Sequence, residues 1–296
     1  VRLLITGAGG FVGGALLRNA PEEWEIHACT RGSPLWRRHK LTWHCFDLSK
    51  EAILEETLES IHPHAIIHAA AAADIDWCEA NPREAEQINV EVTRRIASFC
   101  KKYGTRLIFL STDNVFNGVR GMYPETDIPD PVNHYGRTKV MAENVVMENV
   151  PSFVVARVAL VIGFPLLGIG RSSMSRALAM FKQGKSLGVP TNEVRTPIDV
   201  VTLSKALLEL AAHSFCGPLH LSGNDRLVRY DMMRRLAERL GFSPDVVYPN
   251  DPTGLPGRAN RPLDVSLNNS LAQSLLSTRM LGFDDALATI VEAAAQ

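Results

Sequence analysis

Tyr135 and Lys139 stand four residues apart in Tyr135-Gly136-Arg137-Thr138-Lys139, so on a helix the phenol and the ammonium emerge from one face. A phenol of free pKa ~10 can give a proton to a forming alkoxide, and a nearby cation favours the phenolate and lowers that value towards working pH. Lowering it by about three units takes roughly 4 kcal/mol of electrostatic bias, within reach of one close cation in a dry pocket. Thr112, in Ser111-Thr112-Asp113-Asn114, adds a hydroxyl able to hold a substrate oxygen. The chemistry this set permits is carbonyl reduction, in which the phenol delivers a proton as hydride arrives from a nicotinamide. Out of context, a Tyr/Lys pair at this spacing is an ordinary surface contact worth a few tenths of a kcal/mol, so its weight depends on the elements that carry it.

Those elements alternate. Strand-like apolar runs fall at 2–6, 25–30, 42–46, 65–69, 106–111 and 153–158, with helical patterns at 12–19, 51–61, 83–103 and 135–149 between them. That is the sequence form of βαβ units around a parallel sheet, and Thr112 then lies at the carboxyl end of the fifth strand, where ligands collect. After Val158 glycine and proline become frequent, and helices at 173–183, 200–212 and 230–240 are separated by irregular stretches. Leu219-His220-Leu221-Ser222 reads as one more core strand, so the second region is expected to be discontinuous. The expected division is 1–162 and 198–222 for a dinucleotide-binding domain, and 163–197 and 223–296 for a smaller substrate domain.

Directly after the first strand comes Gly7-Ala8-Gly9-Gly10-Phe11-Val12-Gly13, opening a helix. Bare backbone in a tight strand-to-helix turn lets a pyrophosphate approach the N–H groups at the positive helix end. A site for NAD ordinarily closes the second strand with a carboxylate that accepts from the ribose 2′-hydroxyl. Here the strand ends Cys29-Thr30-Arg31-Gly32-Ser33, without one. Arg31 and Ser33 suit a 2′-phosphate, which makes NADP(H) the expected cofactor in preference to NAD(H).

Composition narrows the classes. The 296 residues carry 31 Lys+Arg against 32 Asp+Glu, a net charge of -1, which argues against a nucleic-acid partner. The most apolar long stretch, 153–170, is broken by Arg157, Pro165 and three glycines and does not read as a membrane span. Five cysteines without a Cys-x-x-Cys pair argue against a disulfide framework and a zinc site; with a chain that opens on strand residues rather than a signal peptide, they set the expectation of a reducing, cytoplasmic setting. His62, His64 and His68 are close in sequence, but strand and loop positions around Pro63 give no ligand geometry, so no metal is expected.

The glycine loop, His68-Ala69-Ala70-Ala71, Ile88-Asn89-Val90, Ser111-Thr112-Asp113-Asn114-Val115-Phe116, Tyr135 with Lys139, Pro124-Glu125-Thr126-Asp127 and Arg261-Pro262 together resemble the extended short-chain dehydrogenase/reductases, and within them the dTDP-4-dehydrorhamnose reductase branch. The likeness covers nearly the whole chain, strongly to about Arg157 and loosely beyond. It implies an α/β fold, a doubly wound parallel-sheet Rossmann fold with a smaller, discontinuous C-terminal substrate domain. It also implies that Thr112, Tyr135 and Lys139 are the catalytic set and that Lys139 also binds the nicotinamide ribose. The cofactor would be held by Gly7, Gly10, Phe11, Val12, Gly13, Arg31, Asp47, Leu48, Ala69, Ala70, Ala71 and Ser111, with Asp47 and Leu48 at the adenine, while Asn89 ties helix to sheet as a structural residue.

Two positions depart from that branch. Asn114 stands where an aromatic residue is usual, and Arg157-Val158-Ala159-Leu160 replaces Arg-Thr-Ser-Trp. Both lie near the expected sugar, so the implied reaction is NADP-dependent reduction of a nucleotide-linked 4-keto sugar, not necessarily dTDP-4-dehydrorhamnose. Asn114 and Leu160 are expected to line the substrate cleft together with some of Arg171, Arg176, Arg195, Arg258 and Arg261, whose forks match phosphate oxygens. A dehydratase is disfavoured because Asn114 cannot exchange a proton where such enzymes carry Glu. The alternatives kept open are a sugar-nucleotide epimerase and a non-catalytic NADP-binding regulatory subunit. Expected partners are a small nucleotide-sugar substrate and, as an option, a second copy in a homodimer.

Overall fold

A computed structural model describes residues 1–34, 36–252 and 254–295. Seven strands form one parallel sheet: β1 (Arg2–Thr6), β2 (Glu25–Thr30), β3 (Leu41–Cys45), β4 (Ala65–His68), β5 (Arg106–Thr112), β6 (Phe153–Val158) and β7 (Gly217–Leu221). Their order is β7-β6-β5-β4-β1-β2-β3. The order reverses between β1 and β4, the crevice where a doubly wound sheet takes a dinucleotide at its carboxyl edge. The late strand expected around Leu219 is β7, paired in register with β6 as Leu219 with Ala156 and Leu221 with Val158.

The helices are α1 (Phe11–Asn19), α2 (Glu51–Ile61), α3 (Ile75–Ala80), α4 (Pro82–Glu86), α5 (Val92–Tyr103), α6 (His134–Asn149), α7 (Ser173–Lys182), α8 (Val200–Ala212), α9 (Arg229–Arg239), α10 (Ser270–Leu275) and α11 (Phe283–Ala295). Alternation along the strands sorts the core into two layers. Leu3, Ile5, Ile67, Ile108 and Val154 face α1 and α8, burying Leu16, Leu203, Leu207 and Leu210. Leu4, Ile66, Leu107, Phe109 and Val155 face α2, α5 and α6, burying Leu58, Ile96, Phe99 and Val146. Both faces are thus covered, as a parallel sheet requires.

The single helix expected over 83–103 is α4, a π-helical turn over Gln87–Glu91, and α5 in succession. A π-turn inserts one extra residue into the helical ladder and recurs at functional sites; here it aims Asn89 at the neighbouring loop and helix.

Beyond β6 the chain builds a second, smaller lobe. Met174 of α7, Met232 and Leu236 of α9, and Phe283, Leu287 and Ile290 of α11 share one apolar cluster with Ile162. Short two-stranded ladders join Leu187–Val189 to Val247–Pro249 and Val194–Arg195 to Leu227–Val228. One part of the expected division does not hold. Ala272, Leu276 and Met280 pack into the layer formed by α1, α8 and β7, so α10 and the turn after it belong to the sheet lobe rather than to the second one. Among the described residues no helix is long and apolar enough to cross a membrane.

Candidate active site

The glycine loop is built by close approach. Gly7 has φ +70, and a Cβ there would stand 2.7 Å from the Ala70 nitrogen; a Cβ on Gly13 would stand 2.3 Å from the Gly7 carbonyl oxygen. Only bare backbone fits between β1, the alanine run and α1. The first turn of α1 carries no acidic residue and no side-chain cap. Its N–H groups and the positive helix end are therefore available to an anion.

From this loop a cleft of about 720 Å³ runs along the ends of β1, β2 and β4. Of the residues expected to hold a cofactor, Gly7, Gly10, Arg31, Asp47, Leu48, Ala69, Ala70 and Ala71 line it. Asp47 is held below the usual carboxylate range, chiefly by the Ser49 N–H, which donates to it at 2.9 Å, with the nearby Arg31 charge adding to the effect. The loop, the helix end and a cleft of this length fit a dinucleotide.

Others stand elsewhere. Phe11 packs beside Leu166 and Val200, Val12 packs on the sheet layer, and Gly13 serves the turn itself. Trp77 and Asp74, which also line the cleft, were not expected. The signal was present, since Asp74 caps α3 by accepting from the Trp77 N–H at 3.0 Å, and an Asp opening a short helix is a readable cap.

The expected catalytic residues Thr112, Tyr135 and Lys139 come from β5 and α6. Asn133 caps α6 by accepting from the Gly136 N–H at 2.8 Å. A Cβ on Gly136 would lie 2.3 Å from the Asn114 carbonyl oxygen, so glycine lets the first turn of α6 press against the end of β5. The Tyr135 phenol is thereby brought beside Thr112, near enough for that hydroxyl to favour the phenolate. Lys139 follows one turn on along α6, its Nζ 4.0 Å from the centre of the Phe109 ring.

The electrostatics differ from expectation. Burial pushes the Tyr135 phenol above its ordinary value, against the opposing influence of the Thr112 hydroxyl. Burial instead drives Lys139 down to about 7, with Glu143 opposing that shift. His68 is pushed down to about 3 by burial and by the Lys139 charge, and spends its ring nitrogens on Thr6 Oγ1 at 2.6 Å and Thr93 Oγ1 at 3.1 Å. A neutral imidazole so engaged is part of the wall.

Asp113 is buried beside Thr112, and its carboxyl is pushed up by burial. Asn114 Nδ2 donates to Asp113 Oδ1 at 2.8 Å, which ties Asn114 to the strand end. The substrate-side expectations fare unevenly. The Arg195 fork is taken up by the carbonyls of Val194, Leu263 and Pro262 at 2.7–3.1 Å, with Nε 3.9 Å from Asp113 Oδ2, so it braces the late loop rather than offering a free cation. Arg261 pairs with Asp76 of α3 at 2.9 Å, and Arg258 reaches Glu193 at 3.4 Å. Leu160, half-buried, packs against the core of the second lobe. Arg171 and Arg176 are exposed. Ser111, expected at the cofactor, gives its hydroxyl to Glu143 at 2.5 Å.

The family model for the RmlD substrate binding domain matches residues 1–296. Methionine adenosyltransferase 2 subunit beta of Bos taurus is 30% identical over 284 residues, covering 93% of this chain and 82% of that protein. The probable low-salt glycan biosynthesis reductase Agl14 of Haloferax volcanii is 27% identical over 296 residues, covering 97% and 96%. The crystal structure of dTDP-4-dehydrorhamnose reductase from Bacillus anthracis, in complex with NADP, superposes with a TM-score of 0.87 at 23% identity, covering 98% of each chain. With a glycine loop, a dinucleotide-sized cleft and Thr112, Tyr135 and Lys139 brought together at the strand ends, the chain belongs to the RmlD substrate binding domain family, within the extended short-chain dehydrogenase/reductases.

Proposed function

We propose that this protein is an NADP-dependent reductase of a nucleotide-linked 4-keto sugar. The observation that carries the reading is the close packing of the first turn of α6 on the end of β5, which brings Tyr135 beside Thr112 with Lys139 one turn behind it. The bound cofactor would supply hydride. The cleft would hold it with the pyrophosphate on the α1 N-terminus, the adenine near Asp47 and Leu48, and the 2′-phosphate towards Arg31. Thr112 orients the keto oxygen and Tyr135 delivers the proton. A phenol kept protonated by burial is in the state needed to give a proton to an alkoxide. Lys139 holds the nicotinamide ribose. The family's reductases and the NADP complex of the Bacillus anthracis enzyme support this reading.

A second reading, a cofactor-binding accessory subunit of another enzyme, is favoured by the relatives named methionine adenosyltransferase 2 subunit beta. A panel of nucleotide-linked keto sugars offered with NADPH separates the two. NADPH consumption with any member supports the reductase; tight NADPH binding with no consumption across the panel supports the subunit.

A further inference from the structure

Ser111 and Arg157 are direct register partners in β5 and β6, and α6 lays Glu143 between them. Glu143 is fully buried. Ser111 Oγ donates to its Oε1 at 2.5 Å, Arg157 Nε donates to both carboxylate oxygens at 3.2 Å, and Arg157 Nη2 donates to Oε2 at 2.8 Å. The guanidinium also lies over the Phe116 ring, 5.3 Å from its centre. On α6, Tyr135, Lys139 and Glu143 follow at intervals of four and so share one helix face. One carboxylate therefore fixes the face that bears the phenol and the ammonium against the strand that bears Thr112.

Stability alone is a poor reason for this arrangement. Taking two charges out of water costs several kcal/mol per ion, and a well-packed apolar pair of similar volume often holds an interface as well or better. An apolar pair lacks two things. One is direction, since the hydrogen bond from Ser111 fixes the residue next to Thr112. The other is negative charge facing Lys139. The groups that surround that ammonium are the Phe109 ring from β5, neutral His68 from β4 and Glu143 from α6, with Arg157 from β6 behind Glu143. Of the two charges in the ion pair, Glu143 is the one that opposes the effect of burial on Lys139.

We propose that Glu143 is a positioning residue for the reaction: clasped by Ser111 and Arg157, it aligns Tyr135 with Thr112 and presents a carboxylate to Lys139. The inference rests on the reading of Thr112, Tyr135 and Lys139 as the reacting set.

The test is the double variant Glu143→Leu with Arg157→Met, which replaces the ion pair by apolar groups and keeps the packing, alongside Glu143→Gln, which keeps an acceptor for Ser111 and removes the charge. NADPH affinity is titrated from pH 6 to pH 9, and turnover is measured with a nucleotide-linked keto sugar. Loss of the carboxylate lowers the Lys139 pKa, so the pH at which NADPH binding weakens should move down by about half a unit or more. The kcat should fall by about tenfold or more with KM within about twofold, a split that a merely structural role would not produce. A folded double variant, or Glu143→Gln, with the wild-type pH dependence of NADPH binding and the wild-type kcat overturns the proposal. If wild-type protein reduces no sugar, the functional reading fails separately, while the NADPH titration still decides the role of Glu143.

Discussion

Asn89 Nδ2 donates to Thr138 Oγ1 at 2.9 Å, while the same amide accepts from the Ala72 N–H at 2.8 Å and donates to the Ala72 carbonyl at 3.1 Å. One side chain in the π-turn thus ties the alanine loop of the cofactor cleft to the helix turn that carries Tyr135 and Lys139. Asn89→Ala leaves these groups without partners and should cost about 1–3 kcal/mol. Thermal unfolding and NADPH titration should show both a lower midpoint and weaker binding; a variant that loses stability but binds NADPH like wild type would separate the loop from the clamp.

Lys139 is buried at a cost in stability. Its folded pKa of about 7 lies well below the ordinary lysine value of 10.5, so between these values the unfolded chain binds the extra proton and the penalty for burying the ammonium shrinks as pH rises. Lys139→Met should therefore raise the thermal midpoint most at pH 6, by about 2 °C or more, and by less at pH 9, while abolishing turnover. Calorimetry at the two pH values checks the sign; a larger gain at pH 9 would contradict it.

Gly136 is a geometric requirement of the site. A Cβ there meets the Asn114 carbonyl at 2.3 Å and the Pro131 side chain at 2.7 Å, so Gly136→Ala must push the first turn of α6 off the end of β5. Turnover should fall by about 10²-fold or more, because a misplacement of about 1 Å is enough for that. NADPH binding, which depends mainly on the cleft beyond β1, should change far less. Equal losses of binding and turnover would count against this account.

Two buried histidines make stability fall in acid. His68 and His220 are each pushed down to about 3 by burial, so between there and the ordinary value of 6.5 the unfolded chain takes up protons that the folded chain does not. Their stabilising contribution is present at neutral pH and is lost as pH falls through this window. Each adds about 1.4 kcal/mol per pH unit to the slope of stability against pH. Denaturant titrations between pH 6 and pH 4 should show a slope smaller by that amount in His220→Gln, and an unchanged slope would refute the assignment.

Much of the sheet was legible because its signal is local. The unbroken apolar run Leu3, Leu4 and Ile5, followed by a glycine turn, reads as a strand buried on both faces and a helix start whatever surrounds it. Tyr135 and Lys139 were legible because a four-residue interval on a helix fixes a shared face. What escaped depends on partners distant in sequence. Nothing adjacent to Glu143 announces that Ser111 and Arg157 will close on it, and the Arg195 fork looks free until the carbonyls of Pro262 and Leu263 come to it from 67 and 68 residues away. The burial of the Tyr135 phenol was not legible for the same reason. A nearby ammonium was counted, but the burial that outweighs it is a property of the packed site.

The central claim is that Tyr135 gives the proton. The direct measurement is the rate of NADPH oxidation with a nucleotide-linked keto sugar that wild type turns over, compared between wild type and Tyr135→Phe, with NADPH affinity measured on both. The account predicts a fall in rate on the order of 10²–10⁴ with cofactor affinity nearly unchanged, the usual size of a general-acid contribution. A Tyr135→Phe protein that binds NADPH and oxidises it at the wild-type rate would contradict it.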